Sequence, residues 1–116
     1  MPSVNIYTLD KTRAQSIESI LPGLREFTAK ALSCAERMLA SDEISLRIII
    51  LEYSLPIADT ELEIIAHQYP ERIANQDSIC TSIKSYVQEQ CPGAGSVYVW
   101  LQLSELGASL RGLSSI

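Results

Sequence analysis

Arg47 is the charged residue whose setting most needs a chemical explanation. It lies within residues 44–52, a run that is otherwise mostly apolar and rich in β-branched side chains. An unpaired guanidinium in such a strand is costly, so Arg47 requires a partner. That partner is either a bound anion or a carboxylate on a neighbouring strand, for which Glu52, Glu61 and Glu63 are the candidates.

The residues that most often bind metals do not form a metal-site pattern. The chain has three cysteines, Cys34, Cys80 and Cys91, and a single histidine, His67. Without a CxxC pair or a second histidine, we expect no zinc site and no metal cofactor. Cys34 and Cys80 fall on apolar helical stripes, which indicates small core residues in a reducing compartment.

Composition indicates one acidic domain. The chain has 116 residues, of which 47% are hydrophobic and 20% charged, and its net charge is −5 without any basic run. We therefore expect no binding to nucleic acid or to an anionic membrane. The longest purely apolar run is residues 48–51, far too short to span a bilayer. The N-terminus lacks the basic and apolar regions of a signal peptide, so we expect a cytoplasmic protein.

The first half of the chain predicts a strand, a helix and a second strand. Alternation over residues 4–9 places Val4, Ile6 and Thr8 on one face, and a turn follows at residues 10–12. Apolar residues then recur every three or four positions from Ile17 to Met38, which predicts a helix. Pro22 interrupts the pattern, and we favour a short turn before a helix that opens there. Residues 44–52 predict a strand covered on both faces, in a sheet interior or at a subunit contact.

The second half repeats this order. Residues 60–67 alternate as a strand, residues 73–90 carry a helical apolar stripe, and residues 96–103 alternate again. The halves, residues 1–55 and 56–116 of a single domain, share little sequence. We leave the tail, residues 104–116, without an assignment.

The fold class expected is α+β: a duplicated β-α-β, with two helices on one face of a four-stranded sheet. The opposite face would carry apolar residues, so we expect an oligomer. The members of that apolar set are Ile49, Leu51, Ile65, Tyr98 and Trp100. The element order fits either a ferredoxin-like domain or the tautomerase arrangement, in which each β-α-β unit pairs its own strands.

Two segments carry a resemblance to a known family. The chain opens Met1-Pro2 directly before its first strand, and residues 45–52 read Ser-Leu-Arg-Ile-Ile-Ile-Leu-Glu. Together with the element order over residues 1–103, they resemble the tautomerase superfamily, which includes 4-oxalocrotonate tautomerases and macrophage migration inhibitory factor-like proteins. The resemblance implies a homotrimer and removal of Met1, which leaves Pro2 as the N-terminus.

The resemblance also implies a cofactor-independent keto–enol tautomerase. Pro2 would be the general base, because burial and neighbouring cations both favour the neutral form of its secondary amine. Arg47 would bind the carboxylate of a small 2-oxo or enol acid. Arg13 corresponds to a second substrate arginine of the family, although it comes one residue later after the first strand than that arginine does. Lys11 is the alternative candidate for this role. Tyr98 resembles an active-site tyrosine.

Other residues depart from the family pattern. Trp100 stands where the inhibitory-factor group has asparagine, which suggests a more apolar substrate pocket. The segment between Met38 and Ile44 lacks a basic residue, although that group has an active-site lysine there. If Met1 is retained, the Pro2 nitrogen is an amide without useful basicity. The alternatives are therefore a non-catalytic oligomer, as scaffold or small-ligand binder, and a decarboxylase or dehalogenase of the same superfamily.

Overall fold

The computed structural model describes residues 2–105 as four strands and four helices. The strands are β1 Ser3–Thr8, β2 Ser45–Ile50, β3 Thr60–His67 and β4 Val97–Ser104. The helices are α1 Lys11–Glu18, α2 Leu21–Leu32, α3 Pro70–Ala74 and α4 Gln76–Gln90. Short 3-10 turns at Ser41–Glu43 and Pro92–Ala94 precede β2 and β4.

The sheet has the order β2-β1-β3-β4. β1 pairs in parallel with β2, β3 pairs in parallel with β4, and β1 and β3 run antiparallel in the centre. Each β-α-β unit therefore pairs its own two strands directly. This order excludes the ferredoxin-like alternative, in which each unit skips a strand, and it confirms the tautomerase-like arrangement.

The core lies between the helices and one face of the sheet. Val4 and Ile6 of β1 and Leu62 and Ile64 of β3 are almost completely buried there. The alternation in β1, β3 and β4 confirms the predicted faces, and β3 has the predicted bounds. We call the helix-covered side the inner face and the opposite side the outer face.

The first helical region differs from its prediction at both ends and agrees with it at Pro22. Residues 10–12 are not a turn: Asp10 is the N-cap of α1, and its side chain accepts a hydrogen bond from the Arg13 amide at 2.7 Å. Pro22 begins a second helix, as favoured from the sequence. The helix ends at Leu32 rather than near Met38, because the chain turns through paired hydrogen bonds between Cys34 and Arg37.

The second helical region is also divided. The predicted helix over residues 73–90 is α3 and α4, which meet at Asn75. Pro70, expected only to stop the preceding strand, occupies the first turn of α3, where its missing amide proton costs nothing.

Two expectations about the sheet need correction. The strand over residues 44–52 was expected in a sheet interior or at a subunit contact. β2 is an edge strand among the described residues, so the sheet interior was wrong and the subunit contact stays a prediction. The outer face is also mixed rather than apolar. Its two central strands place Asn5, Tyr7, Glu61 and Glu63 among the apolar residues. Periodicity identified which residues share this face, but the expectation of an apolar face rested on its apolar members and left out the polar residues between them.

Candidate functional site

Pro2 is buried at the start of β1. Its carbonyl oxygen accepts a hydrogen bond from the Ser45 amide at 3.1 Å, which joins the first residues of β1 and β2. Continuing the register of β1 places Pro2 beside Ile44 on one side and Ala66 on the other. We call this edge, where β1 begins and β3 ends, the Pro2 end of the sheet.

Arg72 lies at the same end. Its Nη1 donates to the His67 carbonyl oxygen at 2.8 Å. Adjacent residues of a strand direct their backbone groups to opposite sides, and the Gln68 amide donates to Ser104 on β4. The His67 carbonyl therefore faces the β1 side, one residue beyond the position opposite Pro2. The Arg72 guanidinium is therefore bound to β3 at the Pro2 end of the sheet.

The Arg72 side chain is a buried cation without a carboxylate partner among residues 2–105. Its relative exposure is 2%, and burial lowers the pKa of its guanidinium. Its Nε donates to the Leu32 carbonyl oxygen at 2.8 Å, and its guanidinium carbon lies 4.9 Å from the centre of the Tyr69 ring. Its buried Nη2 has no hydrogen-bond partner in the described part of the chain. One charged donor is therefore left for a ligand.

A small cleft adjoins Arg72 on the helical side. Its volume is about 30 Å³, and its lining includes Ser33, Cys34, Glu71, Arg72 and Asn75. A site needs about 10–15 Å³ of such space to hold one water molecule. The cleft therefore has room for a small group, such as an oxygen of an anion.

Arg47 lies away from this end, on the outer face of β2. It is exposed, and its Nη2 donates to Ser45 Oγ at 3.0 Å. Asn5 on β1 is its register neighbour, so three residue steps along the strand, about 10 Å, separate Arg47 from the level of Pro2. Pro2 also has the register position of inner-face residues, whereas Arg47 has that of outer-face residues.

The other predicted residues lie elsewhere. Tyr98 and Trp100 are 42% and 50% exposed on the outer face of β4. Arg13 lies beyond the opposite end of β1, about 20 Å along the strand from Pro2, and one of its nitrogens lies 3.7 Å from Asp10 Oδ2. One copy of the chain therefore brings together neither Pro2 with Arg13 nor Arg47 with Trp100.

Arg72 was missed by the sequence reasoning. It stands in the polar stretch Pro-Glu-Arg-Ile-Ala-Asn-Gln-Asp, a composition typical of a solvated helix start. No local pattern distinguishes it from a surface arginine. Only the packing of α3 against the ends of β3 and α2 shows that its guanidinium is enclosed.

Further observations bear on metal and membrane chemistry. Within residues 2–105, no group of three or more His, Cys, Asp and Glu side chains is arranged to hold a metal ion. Cys34, Cys80 and Cys91 are all free thiols. Among the helices of the described chain, none combines the length and the apolar content needed to cross a bilayer.

Comparison with known proteins finds similarity at the level of structure. No protein-family model and no curated protein matches the sequence. A macrophage migration inhibitory factor-like protein from Entamoeba histolytica superposes with a TM-score of 0.61 at 8% identity, covering 89% of this chain and 88% of that one. Malonate semialdehyde decarboxylase gives a TM-score of 0.59 at 10% identity, covering 87% and 83%. A fused 4-OT, solved as an asymmetric trimer, gives 0.58 at 15%, covering 88% and 85%.

These identities are too low to transfer an activity or a catalytic residue. The superpositions nevertheless extend over most of both chains, and the strand order is the one in which each β-α-β unit pairs its own strands. The chain therefore has the fold of the tautomerase superfamily.

Proposed function

We propose that the protein is a cofactor-independent tautomerase of small 2-oxo or enol carboxylic acids, with Pro2 as general base once Met1 has been removed. The observation that carries the proposal is that Pro2 and Arg72 lie at the same end of the sheet. Pro2 is buried there, and the Arg72 guanidinium has one donor, Nη2, without a partner among the described residues.

The chemistry follows from this pair. Burial and a neighbouring cation both disfavour a protonated amine, so the free Pro2 nitrogen would be neutral near physiological pH. It would accept a proton from the carbon beside the substrate carbonyl and return that proton to the other end of the enolate. Arg72 Nη2 would hold the substrate carboxylate, as guanidinium groups do well.

Assembly as a homotrimer belongs to the same proposal. The fused 4-OT with this fold is a trimer, and both edge strands of the sheet, β2 and β4, lack a neighbour among the described residues. Arg47, Arg13, Tyr98 and Trp100 remain predicted substrate contacts, and any that reach Pro2 would do so from a neighbouring copy. The free thiols support a cytoplasmic location, since such compartments keep cysteines reduced.

The decisive experiment is ketonisation of phenylpyruvate and 2-hydroxymuconate, followed by absorbance. Intact mass should show a chain that begins at Pro2, and Pro2→Ala should lower kcat by about 100-fold or more. Arg72→Lys should raise KM more than it lowers kcat, because a point charge replaces the planar fork. Lys30→Gln removes an exposed cation that lies 3.7 Å from Glu26 and serves as the control. Undiminished turnover by Pro2→Ala, or by a chain that retains Met1, would contradict the proposal.

The second candidate is a non-catalytic oligomer that binds small anions. The lining of the cleft favours it, because the cleft beside Arg72 does not include Pro2. Under this alternative, acetate or chloride would raise the midpoint of thermal unfolding in the wild type and not in Arg72→Met, while no oxo acid would turn over. A decarboxylase is the variant suggested by the structural similarity to malonate semialdehyde decarboxylase. Loss of carbon dioxide from 3-oxo acids would identify that activity.

A further inference from the structure

We propose that Cys34 is a peroxide-sensitive modification site whose oxidised form is held by Arg72. The inference rests on the proposed function only where it concerns regulation, because oxidation would engage the guanidinium assigned to the substrate carboxylate. The modification itself is independent of any turnover.

Cys34 and Arg72 line the same cleft. Cys34 is 4% exposed, and the chain around it is well fixed, because its amide and carbonyl groups both pair with Arg37 at 3.0 Å. The two side chains are coupled electrostatically: a charge on Cys34 raises the pKa of Arg72, opposing the larger effect of burial. A negative charge on this sulfur therefore lies within the field of the buried guanidinium.

Arg72 supplies the second half of the site. Two of its nitrogens are engaged by the carbonyl oxygens of Leu32 and His67, and its Nη2 is buried without a partner in the described chain. A buried charged donor without an acceptor favours any chemistry that supplies one. The cleft has room for about one oxygen-sized group beside it.

Oxidation by hydrogen peroxide meets this requirement. The Cys34 thiolate attacks one peroxide oxygen, an S–O bond forms and the O–O bond breaks. The departing hydroxide combines with the proton released by the thiol, so the products are a sulfenic acid and water. Sulfur loses two electrons and peroxide gains them. The new oxygen enters the cleft, where Nη2 can donate to it.

Other charges near the cleft also influence how readily Cys34 is oxidised. Glu71 also lines it, and its carboxylate opposes a negative group on Cys34. Arg37, whose backbone pairs with Cys34, has its own carboxylate partner, since its Nη2 donates to Glu43 Oε1 at 2.9 Å. Arg72 is therefore the cation available to the sulfur, and Glu71→Gln should make Cys34 more reactive.

Cys91 is a matched internal control. It has the same relative exposure as Cys34, 4%, but lies at the end of α4 and does not line the cleft. Burial alone would give both thiols the same slow oxidation. A difference between them measures what Arg72 and the cleft contribute.

The experiment treats the folded, reduced protein with hydrogen peroxide, traps sulfenic acid with dimedone and maps the labelled peptides by mass spectrometry. We expect Cys34 to be labelled at least tenfold faster than Cys91, and faster again in Glu71→Gln. In Arg72→Met the Cys34 rate should fall toward that of Cys91, whereas Arg72→Lys should retain an intermediate rate. Far-UV circular dichroism establishes that each variant is folded.

Equal labelling of Cys34 and Cys91 in the wild type would overturn the proposal, as would labelling confined to Cys80. A Cys34 rate unchanged in Arg72→Lys and in Glu71→Gln would do the same, even if Arg72→Met did not fold. Since labelling needs no substrate, the site could be established in a protein without turnover. If turnover exists, peroxide should raise KM in the wild type and not in Cys34→Ser.

Discussion

Tyr7 donates its hydroxyl to Glu63 Oε1 at 3.0 Å, across the antiparallel pair of β1 and β3. Asn5 Nδ2 donates to the same oxygen at 2.9 Å, so one carboxylate joins two residues of β1 on the outer face. Burial raises the pKa of Tyr7 above its ordinary value of 10.0, and the bond to Glu63 raises it further. The outer face therefore has a titratable group whose proton stabilises the fold.

The first prediction concerns alkaline pH. The unfolded chain loses the Tyr7 proton near pH 10, whereas the folded chain keeps it to higher pH. The stabilisation is thus complete below pH 10 and is lost as pH rises through the folded pKa. We expect the free energy of unfolding in urea to fall less steeply between pH 9.5 and 11 in Tyr7→Phe than in the wild type. Tyr53→Phe, at a fully exposed position, should match the wild-type slope. Identical slopes for Tyr7→Phe and the wild type would refute the assignment.

The second prediction concerns acid pH and the loop before β3. The Asp59 carboxylate accepts hydrogen bonds from the Ser96 amide at 3.0 Å and from its hydroxyl at 3.1 Å. The amide bond is the larger cause of the lowered pKa of Asp59, whose ordinary value is 3.8. The stabilisation is present above that value and is lost as pH falls through the folded pKa.

Asp59→Asn should therefore flatten the loss of stability below pH 4, measured by urea unfolding at successive pH values. Asp42→Asn, at an exposed position in the 3-10 turn before β2, is the control and should keep the wild-type slope. An acid limb as steep in Asp59→Asn as in the wild type would rule out this contribution.

The third prediction concerns Gly95, which leads into β4 with φ 72° and ψ −145°. This backbone conformation is almost restricted to glycine, and an added Cβ would lie 2.5 Å from Asp59 Oδ2. Gly95→Ala should lower the free energy of unfolding by about 1–3 kcal/mol. Gly93→Ala is the comparison, because its backbone carries no such strain and its nearest neighbour is the movable Ser16 side chain. Equal losses in the two variants would contradict the backbone argument.

The fourth prediction separates the structural role of Arg72 from its proposed ligand. Arg72→Met leaves the Leu32 and His67 carbonyl oxygens without their charged donor, which should destabilise the fold by about 2 kcal/mol in urea unfolding. Arg72→Lys can satisfy one of the two and should lose less. Arg37→Met, which breaks an exposed ion pair, should cost below about 1 kcal/mol. A fully stable Arg72→Met would show that these bonds contribute nothing.

Local sequence patterns predicted much of the fold. Alternation gave the faces of β1 and β4 and the bounds of β3, because successive strand residues point to opposite sides. Pro22 marked the start of a new helix, since proline fits the first turn and not the interior. The helix end at Leu32 was missed because the apolar spacing continues through Cys34, although the chain there turns to pair with Arg37.

The candidate site was only partly predictable. Pro2 was identified from its place before the first strand, and the structure buries it at the end of the sheet. Arg47 was a candidate because it interrupts an apolar strand, but it lies on the outer face, opposite the helices, and is exposed. The sequence did not identify Arg72 as a candidate, because a charged residue in a polar helical turn has the local pattern of a surface group.

By itself, the sequence determined the order of the strands and of the helical regions between them, the side of each strand that enters the core, and the resemblance to the tautomerase superfamily. These depend on neighbours within a few residues. The tertiary structure decided that β1 and β3 are central, that the outer face is mixed, and that Arg72 is buried at the same end of the sheet as Pro2. These features depend on hydrogen bonds and packing between segments far apart in the chain, which no local periodicity specifies. Arg47 interrupts an apolar strand but is exposed, whereas Arg72 comes from an ordinary polar turn and is buried.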